Sequence, residues 1–154
     1  MQISNILKQE AVRVIGAASS KKRLFQEIAE VANFAHQLDA QTTVEALLDR
    51  ESLGPTGVGH GVALPHARLG KVEQVVGVFV SLEKPLDFGA VDRQPVDIVF
   101  ALFAPVDAGV EHLKALALVS RTLREQSLCT KLRANPDPTT LYTILTENQS
   151  VQAA

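Results

Sequence analysis

Two stretches constrain this chain more than any others. Val75-Val76-Gly77-Val78-Phe79-Val80-Ser81-Leu82 and Val96-Asp97-Ile98-Val99-Phe100-Ala101-Leu102-Phe103 are almost uninterrupted in apolar and β-branched residues. A strand with no polar alternation is covered on both faces, so helices must lie above and below the sheet it belongs to. The segments Lys84-Pro85-Leu86-Asp87-Phe88 and Asp92-Arg93-Gln94-Pro95 supply turn residues between the two runs. Val12-Arg13-Val14-Ile15 has the composition of a further short strand, ended by Gly16.

The helical periods fall around these strands. Ile3 to Leu7 is a short apolar turn of helix. Ser19 or Ser20 caps a helix over Lys21 to His36, in which Leu24, Ile28, Val31, Ala32 and Ala35 recur at helical spacing. A second helix follows Asp39, buries Val44, Leu47 and Leu48, and runs through Arg50-Glu51 until Gly54-Pro55 stops it. From Val110 to Glu125, Leu113, Leu116, Ala117, Ser120 and Leu123 mark the apolar face of a long helix. Shorter helices are expected over Leu128 to Leu132 and Thr139 to Thr146. The reading is a layered α/β domain. At 154 residues it is one domain, 1–154, large enough to bury a core without disulfides or metal.

Charge and composition remove several classes of function. A net charge of −2 and pI near 6.1, with no Lys/Arg block, do not suit a nucleic-acid or anionic-membrane surface. One cysteine, Cys129, excludes an internal disulfide framework and suits a reducing cytosol. No apolar run approaches the roughly 20 residues of a membrane span, and Met-Gln-Ile-Ser-Asn lacks a signal-peptide layout. A cytoplasmic protein with no membrane insertion is expected.

The chemistry concentrates in Gly57-Val58-Gly59-His60-Gly61-Val62-Ala63-Leu64-Pro65-His66. Glycines at every second position read as a flexible turn, leading into a short extended segment that ends in His66. Backbone N–H groups of such a turn, from Gly57, Gly59 and Gly61, are able to bind an anion beside the imidazole. A neutral imidazole attacks phosphorus. His112, at the start of the long helix, could donate to a phosphoryl oxygen if the fold brings it to His66. Arg50 could face the same anion, and Thr56 could offer its hydroxyl. His60 and His36 have no partner visible in the sequence and read as structural or solvated.

Rival chemistries lack their signatures. The glycine stretch has no Gly-Lys-[Ser/Thr] ending and precedes extended chain rather than a helix, so it is not a nucleotide loop. No His-Glu-x-x-His is present and no cysteine accompanies His60 and His66, so neither a metal nor any other cofactor is expected. There is no Gly-x-Ser-x-Gly elbow for a hydrolase, and Cys129 reads as a small buried hydrophobe.

Thr56 to His66, preceded by Arg50-Glu51, resembles the active-site signature of the fructose/mannitol-type enzyme IIA (type-2 EIIA) domains of the bacterial phosphoenolpyruvate-dependent phosphotransferase system. Phe88-Gly89-Ala90-Val91-Asp92-Arg93-Gln94-Pro95-Val96-Asp97 and His112-Leu113 with Leu116 match the same family, so the resemblance runs from Ile3 to about Glu147. Within the family the chain looks most like the nitrogen-regulatory enzyme IIA. The resemblance implies a mixed central β-sheet flanked by helices on both faces. It implies a cytoplasmic phosphocarrier that accepts a phosphoryl group on His66 from an HPr-like protein, of the nitrogen or sugar type. His112 would hydrogen-bond that group, Arg50 would be the nearby cation, and Thr56 a polar contact.

The partners so implied are regulatory targets such as potassium-transport components or sensor kinases, bound according to phosphorylation state. Two other readings stay open: a sugar-specific enzyme IIA subunit that passes the phosphoryl group to enzyme IIB, and a binding module that is never phosphorylated. Two departures from the family pattern stand out: His60 occupies a position where relatives often have Asn, and Ala67 one where Gly is frequent.

Overall fold

In a computed structural model, which describes residues 1–153 and side chains through residue 147, β5 (Val76–Leu86) and β6 (Val96–Pro105) form the centre of one mixed sheet. They pair antiparallel, Phe79 opposite Phe100 and Gly77 opposite Leu102. β1 (Val12–Ile15) adds parallel to β5. On the other side β6 is flanked in parallel by two short strands in succession, β3 (Val62–Ala63) and β4 (His66–Leu69). β2 (Gly57–Gly59) closes that edge, antiparallel to β3.

The helices fall into two packed groups. α2 (Lys21–His36) and α3 (Ala40–Ser52) pack on each other and against β5 and β4. α1 (Ile3–Ile6), α4 (Gly109–Leu123), α5 (Gln126–Ala134) and α6 (Pro138–Ala153) pack successively against one another, β6 and β1. The outcome is a layered α/β fold with helices on both faces. Among the described residues no helix is long and apolar enough to cross a membrane.

Local chemistry explains the boundaries. The hydroxyl of Ser20, not Ser19, caps α2 by accepting from Arg23 N at 3.1 Å, and Asp39 caps α3 by accepting from Thr42 N at 2.9 Å. The core holds Phe25, Phe79, Phe88, Phe100 and Phe103, all fully buried, with Phe25 meeting Phe88 edge to face. Truncating one such ring to alanine costs about 3–5 kcal/mol.

Four expectations need correction. β5 runs on through Lys84-Pro85-Leu86, which read as a turn: its register with β6 shifts between Ser81 and Leu86, and such an irregularity accommodates a proline that cannot donate to the ladder. His66 opens β4 instead of ending the extended segment. Pro65 separates β3 from β4, and its carbonyl accepts from Leu102 N. The glycine stretch is a tight hairpin, not a flexible turn: Asp92 Oδ2 accepts from His60 N and Arg133 Nη2 donates to His60 O. Finally, α4 buries His112, Ala115, Leu118, Val119, Thr122 and Leu123, while Leu113 is 65% exposed and Ala117 is also exposed. Both stripes of that helix are apolar at helical spacing, so periodicity alone does not choose between them.

Candidate functional site

His66 sits at the start of β4, against which α3 packs. Arg50 arrives from the last turn of α3 and His112 from the first turn of α4. Arg50 donates from Nε to His66 Nε2 at 3.3 Å and from Nη1 to Gly54 O at 2.9 Å. On the other side of the ring, His66 Nδ1 lies 2.9 Å from Leu64 O.

These contacts fix the tautomer. A guanidinium can only donate and a carbonyl can only accept, so Nδ1 carries the proton and Nε2 the lone pair. The opposite tautomer would forfeit both contacts, at about 1 kcal/mol each, so the Nδ1–H form is favoured about thirtyfold. Burial holds the pKa of His66 below the ordinary histidine value. The Leu64 carbonyl and Glu51 oppose this and the Arg50 charge adds to it, but burial is the largest effect. The ring is therefore neutral near pH 7.

The two histidines meet edge to face, with ring centroids 5.4 Å apart and planes inclined at 73°. His112 is buried, and its Nε2 has no hydrogen-bond partner among the described residues. Its pKa is lowered by burial first, then by His66 and Arg68. A buried ring nitrogen left unpaired costs about 1–3 kcal/mol.

Two adjoining open hollows of about 510 and 360 Å³ share Arg50, His66 and Leu116. The first is also lined by His112, Arg68 and Leu113, and the second by Thr56 and Val58. Sequence reasoning passed over Arg68, which donates to Val106 O at 3.2 Å and otherwise lies exposed. The signal was available: on a strand, residues two apart share a face, so Arg68 follows His66. By the same rule Ala67 faces away, and it is buried. It nonetheless lines the same hollow as His66.

The remaining candidates are placed differently from the sequence reading. Thr56 lines a hollow, but its hydroxyl donates to Glu51 Oε1 at 2.6 Å and its N–H to Glu51 Oε2 at 3.0 Å. Its proton is therefore committed. Gly57, Gly59 and Gly61 line neither hollow. They build the hairpin: a Cβ on Gly57 would stand 2.8 Å from Ala90 Cβ, and Gly61 has φ +79° with Arg133 Nη2 2.5 Å from where its Cβ would be. In the structure those glycines allow close packing within the hairpin. His60 is exposed at the hairpin tip, and His36 Nε2 lies 3.1 Å from Gly77 O. Among the described residues no group of three or more His, Cys, Asp or Glu side chains is arranged to hold a metal ion.

A histidine unprotonated at Nε2, beside Arg50 and sharing a hollow with Arg68 and with a second histidine whose Nε2 lacks a partner among the described residues, is suited to carrying a phosphoryl group. Comparison with known proteins points the same way. Residues 5–148 match the family model described as phosphoenolpyruvate-dependent sugar phosphotransferase system, EIIA 2. The chain is 44% identical over 145 residues to a "Nitrogen regulatory protein" of Bradyrhizobium diazoefficiens, covering 94% of this chain and 95% of the relative. It is 41% identical over 150 residues to a "Nitrogen regulatory protein" of Escherichia coli, covering 97% and 92%. The crystal structure of nitrogen regulatory protein IIA-Ntr from Neisseria meningitidis superposes with TM-score 0.85 at 34% identity, covering 94% of this chain and 99% of that one.

Proposed function

The chain belongs to the phosphoenolpyruvate-dependent sugar phosphotransferase system EIIA 2 family, with nitrogen regulatory proteins among its relatives, and from that membership we propose that it is a cytoplasmic, single-domain phosphocarrier of the nitrogen-regulatory type. It takes a phosphoryl group onto His66 from the phosphohistidine of an HPr-like protein. Its phosphorylation state then governs which regulatory partners it binds. Components of potassium transport and sensor kinases are the classes of target that the family resemblance implies.

One observation carries this reading: Arg50 and the Leu64 carbonyl together leave His66 Nε2 as the unprotonated nitrogen, on the side of the ring that Arg50 faces. In the transfer, the Nε2 lone pair forms a new P–N bond as the donor's P–N bond breaks, and the electron pair of that bond returns to the donor imidazole. Positive charge that develops on the His66 ring is stabilised through Nδ1–H by the Leu64 carbonyl. Arg50 Nε, whose 3.3 Å bond to Nε2 is long, exchanges that contact for a phosphoryl oxygen. His112 supplies a second donor to the same group. Little covalent work is asked of the protein; positioning and charge do most of it.

The surroundings suit a protein donor rather than a free small molecule. The hollows are open, and exposed Leu113 and Val58 stand beside Arg50 and Arg68 on their lining. Apolar contact beside cationic anchors is typical of protein interfaces. Mixing the protein with a phosphorylated HPr-like donor tests the reading, with His66→Ala as control. Gain of one phosphoryl group by the wild type alone is expected, and absence of transfer from both nitrogen-type and sugar-type donors would refute it. Onward transfer to an enzyme IIB would instead identify a sugar-specific subunit.

A further inference from the structure

Glu51 plays no part in the chemistry described so far, yet it is the most heavily engaged carboxylate near the site. Its side chain is 7% exposed. Oε2 accepts from Thr56 N at 3.0 Å and pairs with Lys21 Nζ at 2.9 Å, while Oε1 accepts from Thr56 Oγ1 at 2.6 Å. Lys21 in turn lies over the Phe88 ring, 5.0 Å from its centroid. A carboxylate placed this deep is tolerated only when its lone pairs are taken up in this way.

From Thr56 the bonds continue to the nucleophile. Thr56 O accepts from Leu64 N at 2.9 Å. The carbonyl of the same Leu64 receives His66 Nδ1–H, and Nε2 receives Arg50 Nε–H. Arg50 and Glu51 are neighbours in the last turn of α3, so the circuit closes: Glu51, Thr56, Leu64, His66, Arg50 and back through one peptide bond. The segment from Thr56 to Leu64 contains the whole β2–β3 hairpin, so Glu51 grips the hairpin at its base, opposite the tip held by Asp92 and Arg133.

We propose that Glu51 is the positioning residue that keeps His66 in its reactive tautomer, acting through Thr56 and the Leu64 carbonyl. The proposal rests on the phosphocarrier reading for its consequence in catalysis, but not for its consequence in the ring. Thr56 is the relay. With Glu51 holding both its N–H and its O–H, the Leu64 peptide is set where its carbonyl meets Nδ1–H. Without that grip the Leu64 carbonyl is free to shift, only the Arg50 contact still selects the tautomer, and the preference for Nδ1–H falls from about thirtyfold to about fivefold, so a measurable share of molecules is protonated on Nε2. The arrangement parallels the general use of an orienting group behind an active histidine, with the difference that the carboxylate here works through a peptide instead of touching the ring.

The test combines two readouts on Glu51→Gln, Thr56→Val and Thr56→Ser, each checked for folding by circular dichroism. Long-range proton–nitrogen NMR of the His66 imidazole above pH 7 reports the tautomer without any phosphoryl donor. The wild type and Thr56→Ser are expected to show the Nδ1–H form alone. Glu51→Gln and Thr56→Val are expected to show a mixture. Because the displaced Leu64 carbonyl also no longer stabilises the positive charge that develops on the ring, steady-state transfer from a phosphorylated HPr-like donor should fall about tenfold in kcat for those two variants, with KM for the donor changed less than twofold.

Folded Glu51→Gln and Thr56→Val proteins that keep the wild-type tautomer would overturn the proposal, whatever happens to the rate. If Glu51→Gln does not fold, Thr56→Val decides alone, because it removes only a hydroxyl. Failure of the wild type to accept phosphoryl, with the tautomer mixture still seen in the variants, would refute the phosphocarrier reading while leaving the positioning role of Glu51 intact.

Discussion

Arg50 Nε stands 3.3 Å from His66 Nε2 while the same side chain reaches Gly54 O from Nη1 at 2.9 Å. The guanidinium is thus anchored at one end and directed at the unprotonated ring nitrogen with the other. Lysine has no planar fork and satisfies only one of the two contacts. Arg50→Met is expected to slow phosphoryl transfer to His66 by about 100-fold, and Arg50→Lys by less, with single-turnover transfer from a phosphorylated donor as the measurement. Wild-type rates in Arg50→Met would remove the residue from the mechanism.

His112 leads to an opposite pair of effects. Its Nε2 is buried without a partner, so replacing the ring with leucine removes a group that costs about 1–3 kcal/mol. His112→Leu should be at least as stable as the wild type in thermal unfolding of the unphosphorylated protein, yet accept phosphoryl at least tenfold more slowly. A variant destabilised by several kcal/mol would show that the ring packs as an ordinary core residue.

The pH dependence follows from three histidines held below their ordinary pKa, each with burial as the main cause: His36, His66 and His112. Between the lowered folded value and the unfolded value near 6.5, the unfolded chain binds more protons than the folded one, so stability rises with pH across that interval. It is fully present above 6.5 and is lost as pH falls through the folded values. Denaturant midpoints measured from pH 7.5 down to 5 should therefore decline, and Leu replacements at His36 and His112 should flatten the decline. The transfer rate should begin to fall only at a lower pH than a free imidazole would set, because burial holds the His66 pKa below its ordinary value.

Much of this molecule is readable from its sequence, and the parts that are not have physical reasons. β1 and α2 begin and end where Val12, Ile15, Lys21 and His36 place them, because cap residues and one-sided burial both act locally. The trio of His66, His112 and Arg50 is brought together as the family resemblance implies. The face of α4 was misjudged because Leu113 and Leu116 form an apolar stripe as regular as the buried one, and only the neighbouring sheet decides which turns inward. The contacts of Thr56 and the glycines are hidden in the sequence for a related reason. A threonine offers a hydroxyl to any site, and only the position of Glu51 reveals that the proton is already given away.

Gly61 separates a packing role for the glycines from an anion-binding one. Alanine there must take φ near +79° and meet Arg133 Nη2, at 2.5 Å, and Asp97 Oδ1, at 3.0 Å. Gly61→Ala should cost about 1–3 kcal/mol of stability, read from denaturant unfolding, while the protein that remains folded transfers phosphoryl at close to the wild-type rate. Loss of transfer with unchanged stability would return the glycine backbone to the site.

Phosphoryl transfer to His66 would leave the group on Nε2, the nitrogen that Arg50 faces. The most direct measurement incubates wild type and His66→Ala with phosphoenolpyruvate, enzyme I and an HPr-like carrier, records intact masses, and locates the group by long-range proton–nitrogen NMR of the phosphorylated ring. A single phosphoryl group on the wild type, none on His66→Ala, and a retained Nδ1–H are expected. Phosphoryl on the His66→Ala protein, or on Nδ1 of His66, would contradict the account.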